Sequence, residues 1–193
     1  MTTVVIAEDE AIIRLDLRET LVDEGYDVVG ETGRGDEAVE LVRELRPDLV
    51  ILDIKMPGMG GLEAARLITE ERLAAVLILT AFSQRDLIVQ ARDAGALAYL
   101  VKPFQRSDLV PAIEVALGRF AELRALQEQS ADLEERLANR KVLDRAKGIL
   151  MDESALGEQA AFRFIQTTAM AERSTMKVVA ERIIAGELRP QPE

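Results

Sequence analysis

The chain has 193 residues, of which 48% are apolar, and it contains no cysteine, histidine or tryptophan. This composition supplies enough apolar side chains for a buried core, and it excludes disulfide bonds, thiolate chemistry and histidine-based zinc sites. The net charge of −11 is concentrated in residues 1–118, which carry −10, so residues 119–193 remain compatible with nucleic-acid binding.

Residues 3–118 alternate between strand-like and helix-like patterns. The predicted strands span 3–7, 27–31, 49–53, 76–80 and 97–101. The predicted helices span 11–24, 36–46, 62–71, 84–94 and 107–118. Five βα units of this length predict an α/β fold with a five-stranded parallel sheet and helices on both faces. Right-handed crossovers favour the doubly wound, flavodoxin-like strand order 2-1-3-4-5.

The helical pattern continues past residue 118 to about Asp152, with Ser107 as a possible N-cap at its start. Four leucines at 3-4 spacing lie within residues 119–138, namely Leu123, Leu126, Leu133 and Leu137. They indicate either a short coiled-coil-like seam or an amphipathic helix lying on its own domain.

Residues 139–188 predict a small all-α domain of three short helices. The first helix ends near Met151 and the second spans about 157–171. The third spans about 175–185, with Ser174 as a possible N-cap. Residues 189–193 predict a frayed tail.

Polar side chains follow four of the five predicted strands. The pair Glu8–Asp9 follows the first strand, Asp53 ends the third, Thr80 ends the fourth and Lys102 follows the fifth. Because parallel strands end at one edge of a sheet, we expect these side chains to meet there. Carboxylates without histidine or cysteine suit Mg²⁺, and a carboxylate can attack phosphorus as a nucleophile. A lysine and a hydroxyl beside them suit capture of a phosphoryl group.

Residues 3–118 resemble the receiver domain of two-component response regulators. The matching residues are Glu8-Asp9, Asp53 with Met56-Pro57-Gly58, Thr80-Ala81, Tyr99 and Lys102-Pro103. The resemblance implies that a sensor histidine kinase phosphorylates Asp53 and that Lys102 contacts the phosphoryl group. It implies a Mg²⁺ site formed by Asp9, Asp53 and the carbonyl of Lys55, with Glu8 acting through water.

The same resemblance implies that Thr80 and Tyr99 form a switch pair. Thr80 would turn toward the phosphoryl group, and the Tyr99 ring would follow into the vacated space. Such a protein is not an enzyme acting on an external substrate, since its only chemistry is its own phosphorylation and dephosphorylation.

The segment from Arg136 to Lys147 is locally basic. It carries five cations against the single carboxylate of Asp144, namely Arg136, Arg140, Lys141, Arg145 and Lys147. On a helix, Arg136, Arg140 and Lys147 would fall within an arc of about 40°. Three cations on one face suit a phosphate backbone, although an ordinary solvated helix face shows the same pattern.

Residues 139–186 are similar to the ANTAR module, a small three-helix RNA-binding domain of bacterial antiterminators. The similarity lies in Ala146-Lys147-Gly148-Ile149-Leu150-Met151, then Ala160, Phe162, Ala169, Val179-Ala180 and Ile183. It implies binding to RNA stem-loops with hexanucleotide loops, often two in tandem, which favours a homodimer. Bound RNA of this kind blocks a terminator hairpin, so transcription continues.

Within this resemblance, Lys147 matches the basic position of the family, whereas Arg136, Arg140, Lys141 and Arg145 are inferred from charge. No aromatic side chain is expected to stack on RNA, because Phe162 and Phe164 fit core or near-core positions. Loop recognition would then depend on phosphate contacts and polar groups.

The sequence therefore predicts a phosphorylation-controlled response regulator. Its predicted parts are a receiver over 1–118, a linker over 119–138, an ANTAR-like domain over 139–188 and a tail over 189–193. The expected location is the cytoplasm, because neither a membrane span nor a signal peptide is expected.

Three alternatives remain open. The helical region could read DNA, although helix 175–185 carries Glu181 beside Lys177 and Arg182. It could instead serve only dimerisation or protein binding. The acidic pocket could also belong to a phosphatase-type enzyme.

Overall fold

The structure, a computed structural model, describes residues 1–81, 85–154 and 156–190. The chain divides into two compact units, Met1–Arg124 and Ala125–Glu193. In the described parts of the chain, no helix combines the length and the apolar character needed to cross a membrane.

The first unit is built on a five-stranded parallel sheet. Its strands are β1 (Thr3–Ala7), β2 (Asp27–Thr32), β3 (Leu49–Asp53), β4 (Ala75–Thr80) and β5 (Ala98–Val101). The observed order is β2-β1-β3-β4-β5 with every pairing parallel, which confirms the predicted doubly wound, flavodoxin-like α/β fold. Every residue of β3 and β4 is buried, as expected for strands covered on both faces.

Five helices follow the strands in turn. They are α1 (Ala11–Asp23), α2 (Gly35–Leu45), α3 (Gly61–Glu70), α4 (Arg85–Asp93) and α5 (Arg106–Ser154). Successive strand residues point to opposite faces, so the sheet takes part in two cores. Val50 and Ile78 belong to the core that includes α2 and α3, whereas Ile51 and Leu77 belong to the core that includes α1 and the start of α5.

Helix α5 begins one residue before the predicted N-cap. Its first residue is Arg106, so Ser107 lies inside the first turn and the capping prediction is wrong. The Gln105 backbone N–H instead donates to Asp108 Oδ2 at 3.0 Å. A carboxylate near a helix start also interacts favourably with the helix dipole, and Asp108 therefore fixes where α5 begins.

The four leucines of the predicted seam are exposed on α5. The exposed fractions are 46% for Leu123, 62% for Leu126, 60% for Leu133 and 58% for Leu137. The helix thus carries an apolar stripe that no described part of the chain buries.

The second unit contains the end of α5 with α6 (Glu158–Ala171) and α7 (Met176–Ile184). Within the described residues, its core includes the buried side chains of Ala146, Leu150, Ala161, Ile165, Ala169, Val179, Ala180 and Ile183. Helix α7 is capped by Thr175, whose hydroxyl accepts from the Val178 N–H, and not by Ser174 as predicted.

Candidate functional site

The predicted polar side chains of the first unit meet at the carboxyl edge of the sheet. Asp53 ends β3 and Thr80 ends β4, while Glu8 follows β1 directly. The register pairs Ala7 with Leu52 and Thr80 with Val101, so neighbouring strands end at the same level. The parallel register therefore brings the side chains together, as the sequence predicts.

Three carboxylates form the acidic part of this edge. One oxygen from each of Glu8, Asp9 and Asp53 lies within 4.8 Å of the others. Glu8 is fully buried and Asp53 is 6% exposed, whereas Asp9 is exposed to solvent. The group is thus a pocket of oxygen ligands that opens to water on the Asp9 side. Such a set fits Mg²⁺, which prefers a few carboxylates and retained waters, and a dication would offset the repulsion among the three charges.

Lys102 supplies a cation that contacts both buried carboxylates. Its Nζ lies 2.5 Å from Glu8 Oε2 and 2.8 Å from Asp53 Oδ1, and its side chain is 11% exposed. Burial by itself would lower the pKa of Lys102, but its hydrogen bonds to Asp53 and Glu8 outweigh burial and raise the pKa above its usual value. Lys102 therefore stays charged.

Glu8 lies in a less favourable environment for its charge. Burial raises the pKa of the Glu8 carboxyl group above its usual value, and the nearby charge of Asp53 adds to the rise. The hydrogen bond to Lys102 acts in the opposite direction but does not cancel the effect. The charged form of Glu8 is therefore disfavoured in this pocket, and a bound cation would favour it.

The loop after Asp53 is tightly folded around it. The Lys55 backbone N–H donates to Asp53 Oδ2 at 3.0 Å, and the Gly61 N–H donates to the Ile54 carbonyl at 3.0 Å. A Cβ at position 61 would collide with the Asp53 carbonyl oxygen, so only glycine allows α3 to start this close to the site. Asp53 is thus held by backbone on one side and by Lys102 on the other.

The two residues of the predicted switch pair lie in different environments. Thr80 is 2% exposed, and its carbonyl accepts from the Lys102 N–H at 2.7 Å. Tyr99 lies on β5, an edge strand, and is 45% exposed. The register pairs Tyr99 with Ile78, two residues before Thr80. The Tyr99 ring is therefore at the surface in this structure, whereas the Thr80 side chain is buried.

The basic segment of α5 is partly neutralised by carboxylates. Lys147 Nζ lies 2.9 Å from Asp144 Oδ1 and 3.0 Å from Glu158 Oε1, and the Lys147 side chain is only 18% exposed. Arg136 forms an ion pair with Asp132 at 2.8 Å. Arg140 lies 3.8 Å from the other Asp144 oxygen and is 81% exposed.

Two of the five predicted RNA-binding cations are less engaged. Lys141 and Arg145 are exposed and form no ion pair with any residue that the structure describes. The predicted face of Arg136, Arg140 and Lys147 is therefore less available to phosphates than Lys141 and Arg145 are.

Phe162 differs from its predicted place in or near the core. It is 43% exposed on α6 and lines a groove of about 430 Å³ with Lys147 and Arg163. Phe164, in contrast, is half-buried and packs against the core of the second unit. The four-residue spacing of Ala161, Ile165 and Ala169 could have predicted this exposure. These small and aliphatic residues define the buried face of α6, and position 162 lies outside that face.

The Asp9→Asn substitution tests whether the acidic pocket binds Mg²⁺. We expect it to weaken Mg²⁺ binding at least about tenfold, because changing only a supporting partner of a metal ligand commonly costs about 10- to 100-fold. Isothermal titration calorimetry with MgCl₂ measures the affinity. The exposed neighbour Glu10, substituted as Glu10→Gln, is the control and should bind Mg²⁺ like the natural chain. Equal affinity in both variants would contradict a site at Asp9.

Two protein-family models match the chain: the response regulator receiver domain over residues 4–114 and the ANTAR domain over residues 131–184. The transcriptional regulatory protein PdtaR of Mycobacterium tuberculosis is 56% identical over 181 residues, which cover 94% of this chain and 88% of PdtaR. The chemotaxis protein CheY of Thermotoga maritima is 40% identical over 111 residues, which cover 57% of this chain and 92% of CheY.

Solved structures show the same fold over part of the chain. A DNA-binding response regulator of the LuxR family from Staphylococcus aureus is 32% identical with a TM-score of 0.58, covering 61% of this chain and 99% of that one. One chain of a CheX–CheY–BeF₃–Mg²⁺ complex from Borrelia burgdorferi is similar at 27% identity with a TM-score of 0.56, covering 58% of this chain and 86% of that one.

Proposed function

Because the chain belongs to the response regulators that join a receiver domain to an ANTAR domain, we propose that phosphorylation of Asp53 controls RNA binding by residues 139–188. The RNA would be a stem-loop whose capture prevents termination and lets transcription continue. The observation that carries the proposal is the site at the sheet edge, where Asp53 lies 2.8 Å from Lys102 Nζ and beside two further carboxylates. We place the protein in the cytoplasm, where its partner would be a sensor histidine kinase.

Asp53 is the proposed acceptor. One of its carboxylate oxygens attacks the phosphorus of a phosphohistidine on the kinase, so a P–O bond forms as the P–N bond breaks. Water later attacks the aspartyl phosphate and returns the free carboxylate and inorganic phosphate. Asp9, Asp53 and the Lys55 carbonyl would hold Mg²⁺ with support from Glu8, and the ion supplies charge neutralisation for the phosphoryl oxygens.

Lys102 and Thr80 act on the phosphoryl group after transfer. The Lys102 ammonium already contacts Asp53, so a small movement transfers its contact from a carboxylate oxygen to a phosphoryl oxygen. The Thr80 hydroxyl turns to donate a hydrogen bond to a second oxygen. The space that Thr80 vacates admits the Tyr99 ring, which is exposed in this structure.

The proposed output passes through β5 and α5. Helix α5 starts in the first unit and contributes Ala146 and Leu150 to the core of the second. Its exposed leucine stripe is the proposed contact of a homodimer that forms on phosphorylation. A dimer would hold two RNA loops at once, and double occupancy raises the overall affinity.

A gel-shift titration tests the coupling. The RNA probe carries two tandem hexanucleotide loops, and the full chain is compared with and without beryllofluoride and Mg²⁺, which mimic the phosphoryl group on Asp53. We expect tighter RNA binding with the mimic, because contacts made in one state alone shift the balance toward that state.

Two outcomes would contradict parts of this proposal. Equal RNA affinity with and without the mimic would contradict control by Asp53 but not RNA binding itself. Absence of RNA binding in both states would contradict the RNA output, and a duplex DNA of equal length run in parallel then tests the DNA-binding alternative.

The proposed phosphate contacts are Arg136, Arg140, Lys141, Arg145 and Lys147. Because Lys141 and Arg145 are the least engaged by carboxylates, Lys141→Ala and Arg145→Ala are each expected to reduce the slope of log affinity against log salt by about 1. Fluorescence anisotropy at several salt concentrations gives the slope. Arg119→Ala, which removes an exposed cation from α5 outside the basic segment, should leave the slope unchanged. An unchanged slope in all three variants would contradict these contacts.

A further inference from the structure

One face of α6 combines an exposed aromatic ring with groups that form hydrogen bonds. Gln159, Phe162, Arg163 and Gln166 follow three- and four-residue spacing, so they share one side of the helix. Together with Lys147 and Glu158 they line the groove of about 430 Å³. Ala161, Ile165 and Ala169 point into the core, and the groove residues Gln159, Phe162 and Arg163 are not among the core residues of the described part of this unit.

The polar groups on this face are available for binding. Arg163 is exposed and forms no ion pair with any residue in the described ranges. Gln159 is exposed and Gln166 is half-buried, and each amide offers both a donor and an acceptor. Glu158, an acid that lines the groove, already contacts Lys147 at 3.0 Å. Arg163 therefore offers an exposed positive charge beside the aromatic ring of the groove.

Lys147 has a supporting place in this arrangement. Its ammonium contacts Asp144 on α5 and Glu158 at the start of α6, and it therefore ties the two helices together beside the groove. Hydrogen bonds to both carboxylates raise the pKa of Lys147 above its usual value. Lys147 is a positioning residue for the groove in addition to any contact it makes with phosphate.

We infer that this groove binds one unpaired nucleobase of the RNA loop. The Phe162 ring stacks on the face of the base, the amides of Gln159 and Gln166 hydrogen-bond to its edge, and Arg163 contacts the adjoining phosphate. The assignment rests on the proposed RNA-binding function and deepens it, because it names the part of the RNA that is recognised.

The chemistry of the face favours a loop base over a base in the stem. Bases of an A-form stem are stacked on their neighbours, and its deep, narrow major groove keeps side chains from their edges. A base in a loop can be splayed out so that an aromatic side chain stacks on it, and such stacking contributes about 1–3 kcal/mol per base. An exposed ring flanked by amides and an exposed guanidinium meets those requirements.

Substitutions at Phe162 test the stacking. Fluorescence anisotropy with the tandem hexaloop RNA is measured on the full chain with beryllofluoride and Mg²⁺. Phe162→Leu, which keeps an apolar side chain without a ring, is expected to weaken binding about 5- to 100-fold. Phe162→Tyr should stay within about threefold of the natural chain because it keeps the ring. Val178→Ala is the control, since Val178 on α7 is 44% exposed and lies outside the groove.

A set of RNAs that each lack one loop base separates base stacking from a general effect on folding. The RNA that lacks the bound base should bind the natural chain more weakly than the intact RNA does. The Phe162→Leu variant should bind that RNA and the intact RNA with equal affinity. Equal affinity of Phe162→Leu and the natural chain would overturn the inference and leave the RNA-binding function standing. The inference would also be overturned if, at every abasic position, the loss of affinity from the missing base simply added to the loss from Phe162→Leu. Absence of RNA binding by the natural chain would overturn both.

Discussion

The Asp53→Asn variant is expected to incorporate no phosphate from acetyl phosphate and Mg²⁺, a complete loss relative to the natural chain. The attacking group is a carboxylate oxygen, and an amide oxygen is too weak a nucleophile to replace it. The fold should survive, because the asparagine oxygen can still accept the hydrogen bond that Lys55 N–H donates to Asp53 Oδ2 at 3.0 Å. Intact-mass spectrometry measures the incorporation.

A matched control comes from the opposite edge of the sheet. Asp27 is exposed at the start of β2, so Asp27→Asn changes the same functional group at the amino end of a strand. This variant should incorporate phosphate like the natural chain. Phosphate on the Asp53→Asn protein would show that another side chain is the acceptor, and peptide mapping of the product would identify it.

The Lys102→Met variant is expected to lose about 3 kcal/mol of unfolding free energy in the presence of EDTA. The substitution keeps the volume of the buried stem but leaves Glu8 and Asp53 without their cation, and removing one partner of a buried ion pair typically costs 3–5 kcal/mol. Added Mg²⁺ should recover part of the loss, because the dication supplies the missing charge. Urea denaturation with EDTA and with Mg²⁺ measures both effects.

The double variant Glu8→Gln/Lys102→Met identifies the source of the loss. It should be more stable in EDTA than Lys102→Met alone, since one of the two unpaired buried charges is gone. A Lys102→Met protein as stable as the natural chain in EDTA would mean that the two carboxylates do not both carry their charge in the folded protein.

Most of the fold and of the phosphoacceptor site can be predicted from local sequence. Apolar runs such as 49–53 predict buried strands, and the general rule for parallel sheets brings their polar ends together. This is why Glu8 and Asp53 are predicted beside Lys102 without any distance being known. The caps are less predictable, because adjacent residues such as Ser174 and Thr175 compete for one position.

The features that sequence does not predict depend on packing between elements. Lys147 is neutralised partly by Glu158, which lies 11 residues away on another helix. The exposure of Phe162 depends on which side of α6 enters the core, and an isolated phenylalanine usually predicts burial. Tyr99 is 45% exposed on β5, an edge strand, and the position of that strand depends on how the whole sheet is assembled.

The length of α5 restricts how this chain can change in evolution. Its exposed leucines Leu126, Leu133 and Leu137 lie on one side of the helix. Each residue inserted between Leu126 and Leu133 would rotate the later side chains by about 100° about the helix axis relative to Leu126. Insertions of 7 or 11 residues nearly restore the original phase, whereas insertions of 2 or 5 turn the later side chains to the opposite side. Relatives that keep this helix unbroken should therefore differ in its length by steps of about 7 or 11 residues.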